Sequence, residues 1–143
     1  MIRSILGAVA GYIVFAFFLI LFFSGLYLVL GADRSFLPGK FDPSTTWTIS
    51  TSVLGFIATV IAGLVAALIG RSGGVRILAG LVLLIGAIVV VVLAMENKPE
   101  EVRPVEVSMK DAMDKAREPV WVAVVNPILG VIGVFVGGSL RKK

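Results

Sequence analysis

The side chains able to do chemistry inside the long apolar runs of this chain are few, and the pair Asn126-Pro127 is the most informative of them. Proline has no amide hydrogen to give to the carbonyl of Ala123, so it frees that acceptor and favours a kink. The Asn126 amide sits about 9 Å into its run, counting from Val120 at 1.5 Å per residue, and needs hydrogen-bond partners there. Broken helices with freed carbonyls build ion and substrate sites in transporters, usually in repeated pairs. No other run carries a matching break, and a structural kink with Asn126 bonded to a neighbouring helix is the competing reading. Ser50 and Thr51 belong to a Thr/Ser cluster opening another run, in the same outer half as Asn126, so the three define a candidate polar pocket.

Aromatic residues give a second pattern. At 100° per residue Phe15, Phe18 and Phe22 share a stripe with Gly7, Gly11 and Gly25. Such a stripe suits a groove for a flat or elongated apolar ligand, such as a quinone, a carotenoid or a lipid tail; ordinary space filling explains it equally in kind. Small residues also recur every four positions, at Gly7 and Gly11, at Thr51, Gly55, Thr59, Gly63 and Ala67, and at Gly133 and Gly137. They let helix backbones approach closely in a solvent that offers little hydrophobic drive, either within the chain or against another subunit.

Much chemistry is excluded outright. The 143 residues contain no cysteine and no histidine, which removes thiolate nucleophiles, disulfides and the commonest metal and haem ligands and proton carriers. Neither a cofactor nor a metal is expected. The carboxylates nearest to pairing, Asp33 with Asp42 and Glu100 with Glu101, lie in loops, where solvation is the simpler account than an acid–base dyad or a cation site. From Ile5 to Leu30, Trp47 to Gly70, Ile77 to Ala94 and Val120 to Leu140 there is no Asp, Glu, Lys or Arg. Proton relays, coupled transport and voltage sensing generally place such groups in the membrane. An enzyme is therefore not expected.

These residues are carried by an unusually apolar chain, with 58% hydrophobic and 15% charged residues and a mean hydropathy of +1.04. Four runs reach the roughly 20 residues needed to cross a hydrocarbon core. They are residues 5–30, 47–70, 75–94 and 120–140, joined by an outer loop at 31–46, a turn at 71–74 and a longer outer segment at 95–119, with a basic tail at 141–143. The first run is too long for a signal-peptide core of about 7–15 residues. In the longer outer segment Ser108 and Asp111 read as a capping box. Around it Val105, Met109, Ala112, Met113 and Ala116 fall on one helical face, and Pro119 ends the helix. That helix would lie on the outer leaflet, dock to a partner or cap its own bundle.

Lysine and arginine set the orientation. Arg3, Arg71, Arg76, Arg141, Lys142 and Lys143 share one side with no acidic residue, whereas the other loops mix both signs. The positive-inside rule puts the first set, and both termini, in the cytoplasm, and Trp47 and Trp121 read as anchors at the opposite interface. The net charge of +4 is thus a topology signal, and nucleic acid is not an expected partner. The expected fold is an all-α integral membrane four-helix antiparallel bundle, one membrane domain with a short extracytoplasmic amphipathic helix. Compactness and the want of a targeting signal point to a bacterial inner membrane. The leading functional expectation is a non-enzymatic accessory subunit of a larger membrane complex of respiratory, photosynthetic or transport machinery, contacting lipid and other subunits or itself. A small-solute, ion or lipid-handling protein built around Asn126 is the alternative.

Overall fold

The computed structural model describes Met1 to Arg141; the expected basic tail at Lys142 and Lys143 falls outside the described residues. The fold is all-helical: α1 is Ile2–Ser35, α2 is Thr45–Met95, α3 is Met109–Lys115 and α4 is Val120–Leu140. Helices α1, α2 and α4 are long and apolar enough to cross a membrane.

Helix α1 continues past the loop boundary expected at residue 31. Gly31 breaks it with φ 67°, and a last helical turn follows before Phe36 closes onto the carbonyl of Ala32. Burial of Phe36 against Phe41 favours that extra turn over coil, since it packs an aromatic pair with centroids 6.0 Å apart. Leu37-Pro38-Gly39-Lys40 then forms a tight turn, with Gly39 at φ 67° and the Lys40 amide donating to the Leu37 carbonyl over 3.1 Å. Ser44 caps α2 by accepting the Trp47 amide at 3.1 Å.

Helix α2 is two arms, 45–70 and 72–95. At Arg71 the backbone leaves the helix (φ 55°, ψ −152°). A β-carbon on Gly74 would lie 2.7 Å from the Ala66 carbonyl oxygen. In a continuous helix those residues would be about 12 Å apart, so the chain doubles back at Arg71. The expected turn at 71–74 therefore contracts to one residue, because Gly73 and Gly74 allow the second arm to start at once beside Ser4 and Ala66.

The first arm is central. Gly7 packs on Gly70, and Gly11 on Ala62 and Leu78, whereas Gly133 meets Thr59, Gly137 meets Val60 and Gly63 meets Val134. Thus α1 and α4 each pack on α2 and not on one another. Toward the loop end the residues at the α1–α2 contact grow: Phe23 and Tyr27 lie edge-on to Trp47, with centroids 6.1 and 6.2 Å apart. Glycines at the Arg71 end bring backbones into contact and aromatics at the loop end hold them apart, so the helices diverge as a wedge.

Helix α3 roofs the loop end. Ser108 accepts the Asp111 amide at 3.2 Å and donates to the Asp111 carboxylate at 2.8 Å. Ala112 is fully buried with Tyr27, Phe36 and Trp47, and Met113 and Ala116 pack beside them. Val105 and Met109, expected on the same face, are exposed, because the chain bends at Val105 and Glu106 before the helix starts and Val107 takes the place on the buried side. Trp47, expected as an interfacial anchor, is buried beneath this roof, while Trp121 is exposed.

Candidate functional site: a central cleft

The wedge encloses a cleft of about 240 Å³ lined from α1, both arms of α2 and α4. Helix α1 contributes Tyr12, Phe15, Leu19 and Phe23; the first arm gives Thr51, Ser52, Gly55, Phe56 and Thr59. Val82, Ile85, Gly86 and Val89 come from the second arm, and Ala123, Asn126, Pro127 and Gly130 from α4. A second space of about 270 Å³, sharing Phe23, Thr51, Glu118 and Asn126 with the first, leads toward the loops past Lys98 and Met113.

The polar floor is assembled across helices. The Ser52 hydroxyl donates to Asn126 Oδ1 at 2.9 Å, bonding the first arm to α4. Thr51 donates back to the Trp47 carbonyl at 2.9 Å and Thr59 to that of Phe56 at 2.8 Å, so both hydroxyl protons are spent within their own helix. The Pro127 ring sits on Gly86 of the second arm, where a side chain would collide with it. Helix α4 stays one helix through Pro127, and the missing amide leaves the Ala123 carbonyl without its helical donor.

Several residues singled out by spacing come together here and others do not. Thr51 and Asn126 line the cleft, but Ser50 lies outside it and Ser52 takes its place. Ser52, Gly55 and Thr59 follow i, i+3, i+7 spacing, the signal that marks their common face. Phe15 faces the cleft, whereas Phe18 and Phe22 lie outside its lining and pack on each other at 5.3 Å. The cleft instead takes the row Phe15, Leu19 and Phe23, the continuation of Gly7 and Gly11 in steps of four. Among the small residues, Gly7, Gly11, Gly63, Gly133 and Gly137 are all at close approaches within the chain, and Thr59 is buried against Gly133. Gly55 is not: a β-carbon there meets nothing within 4 Å, because it opens on the cleft.

The loop carboxylates are committed elsewhere. Arg103, its side chain only 4% exposed, holds Asp33 at 3.2 Å, donates through Nε to the Lys40 carbonyl at 3.1 Å and bonds Gly39 through its own amide. Arg117 lies 3.2 Å from Glu100 and 3.8 Å from Asp42, and Lys115 holds Glu101 at 2.7 Å. Glu118 is different. It stands at the head of the cleft with no ion-pair partner among the described residues, accessible through the opening, yet surrounded closely enough that desolvation raises its pKa against the opposing pull of Lys98. The Lys98 ammonium is engaged by the Asp114 and Ala116 carbonyls and lies 3.6 Å from Glu96.

The features together define an all-helical chain with helices of membrane-crossing length around an aromatic cleft that has one polar cluster and one carboxylate. Comparison with family models, with curated proteins and with solved structures finds no match to this chain.

Proposed function

We propose that this chain is a four-span membrane protein that binds a small lipophilic molecule in its central cleft. In this reading successive spans alternate in direction, both termini face the cytoplasm of a bacterial inner membrane, and α3 covers the outer end. The exposed apolar side chains of α1, among them Ile13, Ile20, Leu28 and Val29, face lipid. The observation that carries the proposal is the cleft itself: four apolar segments surround a space floored by a cross-helix Ser52–Asn126 hydrogen bond, the mixture of apolar wall and few polar groups that ligand sites use.

An accessory subunit of a larger assembly is the second reading, resting on the broad apolar exterior. Less supports it, since the small residues other than Gly55 lie at close approaches within the chain.

The test is native mass spectrometry of the protein released from mild detergent. Wild type should carry a non-covalent lipophilic adduct, and Gly55→Phe, which grows a side chain into open cleft, should lose it while remaining folded. A bare wild-type ion, or an adduct unchanged in Gly55→Phe, overturns the binding reading. A particle containing other polypeptides would move the preference to the accessory subunit.

A further inference from the structure

The chemistry of the cleft selects among lipophilic ligands. Its walls are hydrocarbon and four aromatic rings, those of Tyr12, Phe15, Phe23 and Phe56. Aromatic faces attract cations through the ring quadrupole, more strongly where water is excluded. Among the described residues Glu118 is the only Asp, Glu, Lys or Arg in the lining and has no ion-pair partner. An anionic headgroup would meet this carboxylate as a like charge. The cation nearest the mouth, Lys98, is already held by two carbonyls and by Glu96.

Resting on the cleft reading above, we propose that the ligand class is a lipophilic cation, an amine or quaternary ammonium attached to an apolar body, with its charge at Glu118 and its body among the aromatic rings. The remaining charged groups around the mouth, Asp42, Glu96, Lys98 and Arg117, line an adjoining polar recess that shares Glu118 with the cleft, and none of these four lines the cleft itself. Glu118 is therefore the residue that reads ligand charge, and the aromatic row reads shape.

The experiment compares benzyltrimethylammonium with neopentylbenzene, its neutral isostere, in equilibrium dialysis against nanodiscs of zwitterionic lipid with and without the protein. The protein-dependent uptake of the cation should exceed that of the neutral isostere by about tenfold or more, the scale of cation–π and ionic attraction away from bulk water. Glu118→Gln should cut that preference several-fold, bringing the uptake of the two probes together; Lys98→Gln should preserve it. Equal uptake of both probes by wild type overturns the cation assignment and leaves the cleft reading standing. Uptake of neither removes the cleft reading itself. A cation preference undiminished in Glu118→Gln also refutes the assignment, since the charge would then be read elsewhere.

Discussion

Replacing Gly7 by alanine isolates the close end of the wedge. A β-carbon at that position would stand 2.5 Å from the Gly70 amide nitrogen, 2.6 Å from the Gly70 Cα and 2.8 Å from the Ala66 carbonyl oxygen. All three are backbone atoms with no rotamer to escape into. Ordinary contact starts at about 3.5 Å, so α1 must retreat by about 1 Å along this contact, and a gap of that size forfeits roughly a quarter to a half of each dispersion contact. Van der Waals packing is the principal force between helices in lipid, so the expected loss is at the scale of core overpacking, about 1–3 kcal/mol. Gly55→Ala is the matched control: the same chemical change in a helix with nothing within 4 Å. It should be neutral or stabilising by up to about 1 kcal/mol, the helical advantage of alanine over glycine. Reversible unfolding in mixed micelles of increasing dodecyl sulfate content, followed by tryptophan fluorescence, measures both, with buried Trp47 reporting on the α1–α2 contact. If the two variants unfold at the same dodecyl sulfate fraction, the helices do not meet through Gly7 and the wedge is wrong.

Three further outcomes follow from other parts of the fold. Arg103→Met removes charged hydrogen bonds that tie the two loops together, at a cost of about 2 kcal/mol, and should speed hydrogen exchange or proteolysis in residues 36–44 before any change in the long helices. Arg71→Gly places the residue suited to φ 55°, ψ −152° at the reversal and should raise stability by about 1 kcal/mol, read from the same denaturation curves. Glu118→Gln tests the raised pKa. An acid whose folded pKa exceeds the ordinary value of 4.5 stabilises the fold most below that value and loses the contribution as pH rises through the folded pKa. The Gln variant should therefore exceed wild type in stability near neutral pH, with the gap shrinking as pH falls toward 4.5, and a gap independent of pH would contradict the raised pKa.

The helical elements were largely legible in composition, because lengths of uncharged apolar sequence and a basic reversal at Arg71 state where helices run and where the chain turns. Ser108 and Asp111 likewise announced α3, since a cap is a local device whose partners are three residues apart. The cleft was only half legible. Projecting α1 onto a straight 100° wheel groups Phe15 with Phe18 and Phe22, but a helix that crosses its neighbour obliquely makes contact along a slanted row of residues four apart. The observed row of Gly7, Gly11, Phe15, Leu19, Phe23 and Tyr27 is such a line, and no periodicity within α1 alone reveals the crossing. The same limit exchanged Ser50 for Ser52. Burial of Arg103 was invisible for another reason: its partners Lys40 and Gly39 are more than sixty residues away, and nothing near Arg103 in sequence distinguishes it from a solvated loop arginine.

The contact between Gly7 and Gly70 also acts as a fulcrum. From Gly7 to Phe23 the helix is an arm of about 24 Å, at 1.5 Å per residue, so a tilt of only about 5° about the glycine contact carries the aromatic tip through about 2 Å. That displacement is comparable to the radius of a methyl group. Small rocking at the tight end is thereby amplified into a change of aperture at the other, and the sealing of the cleft depends on how firmly α3 and Trp47 hold the tip of the arm.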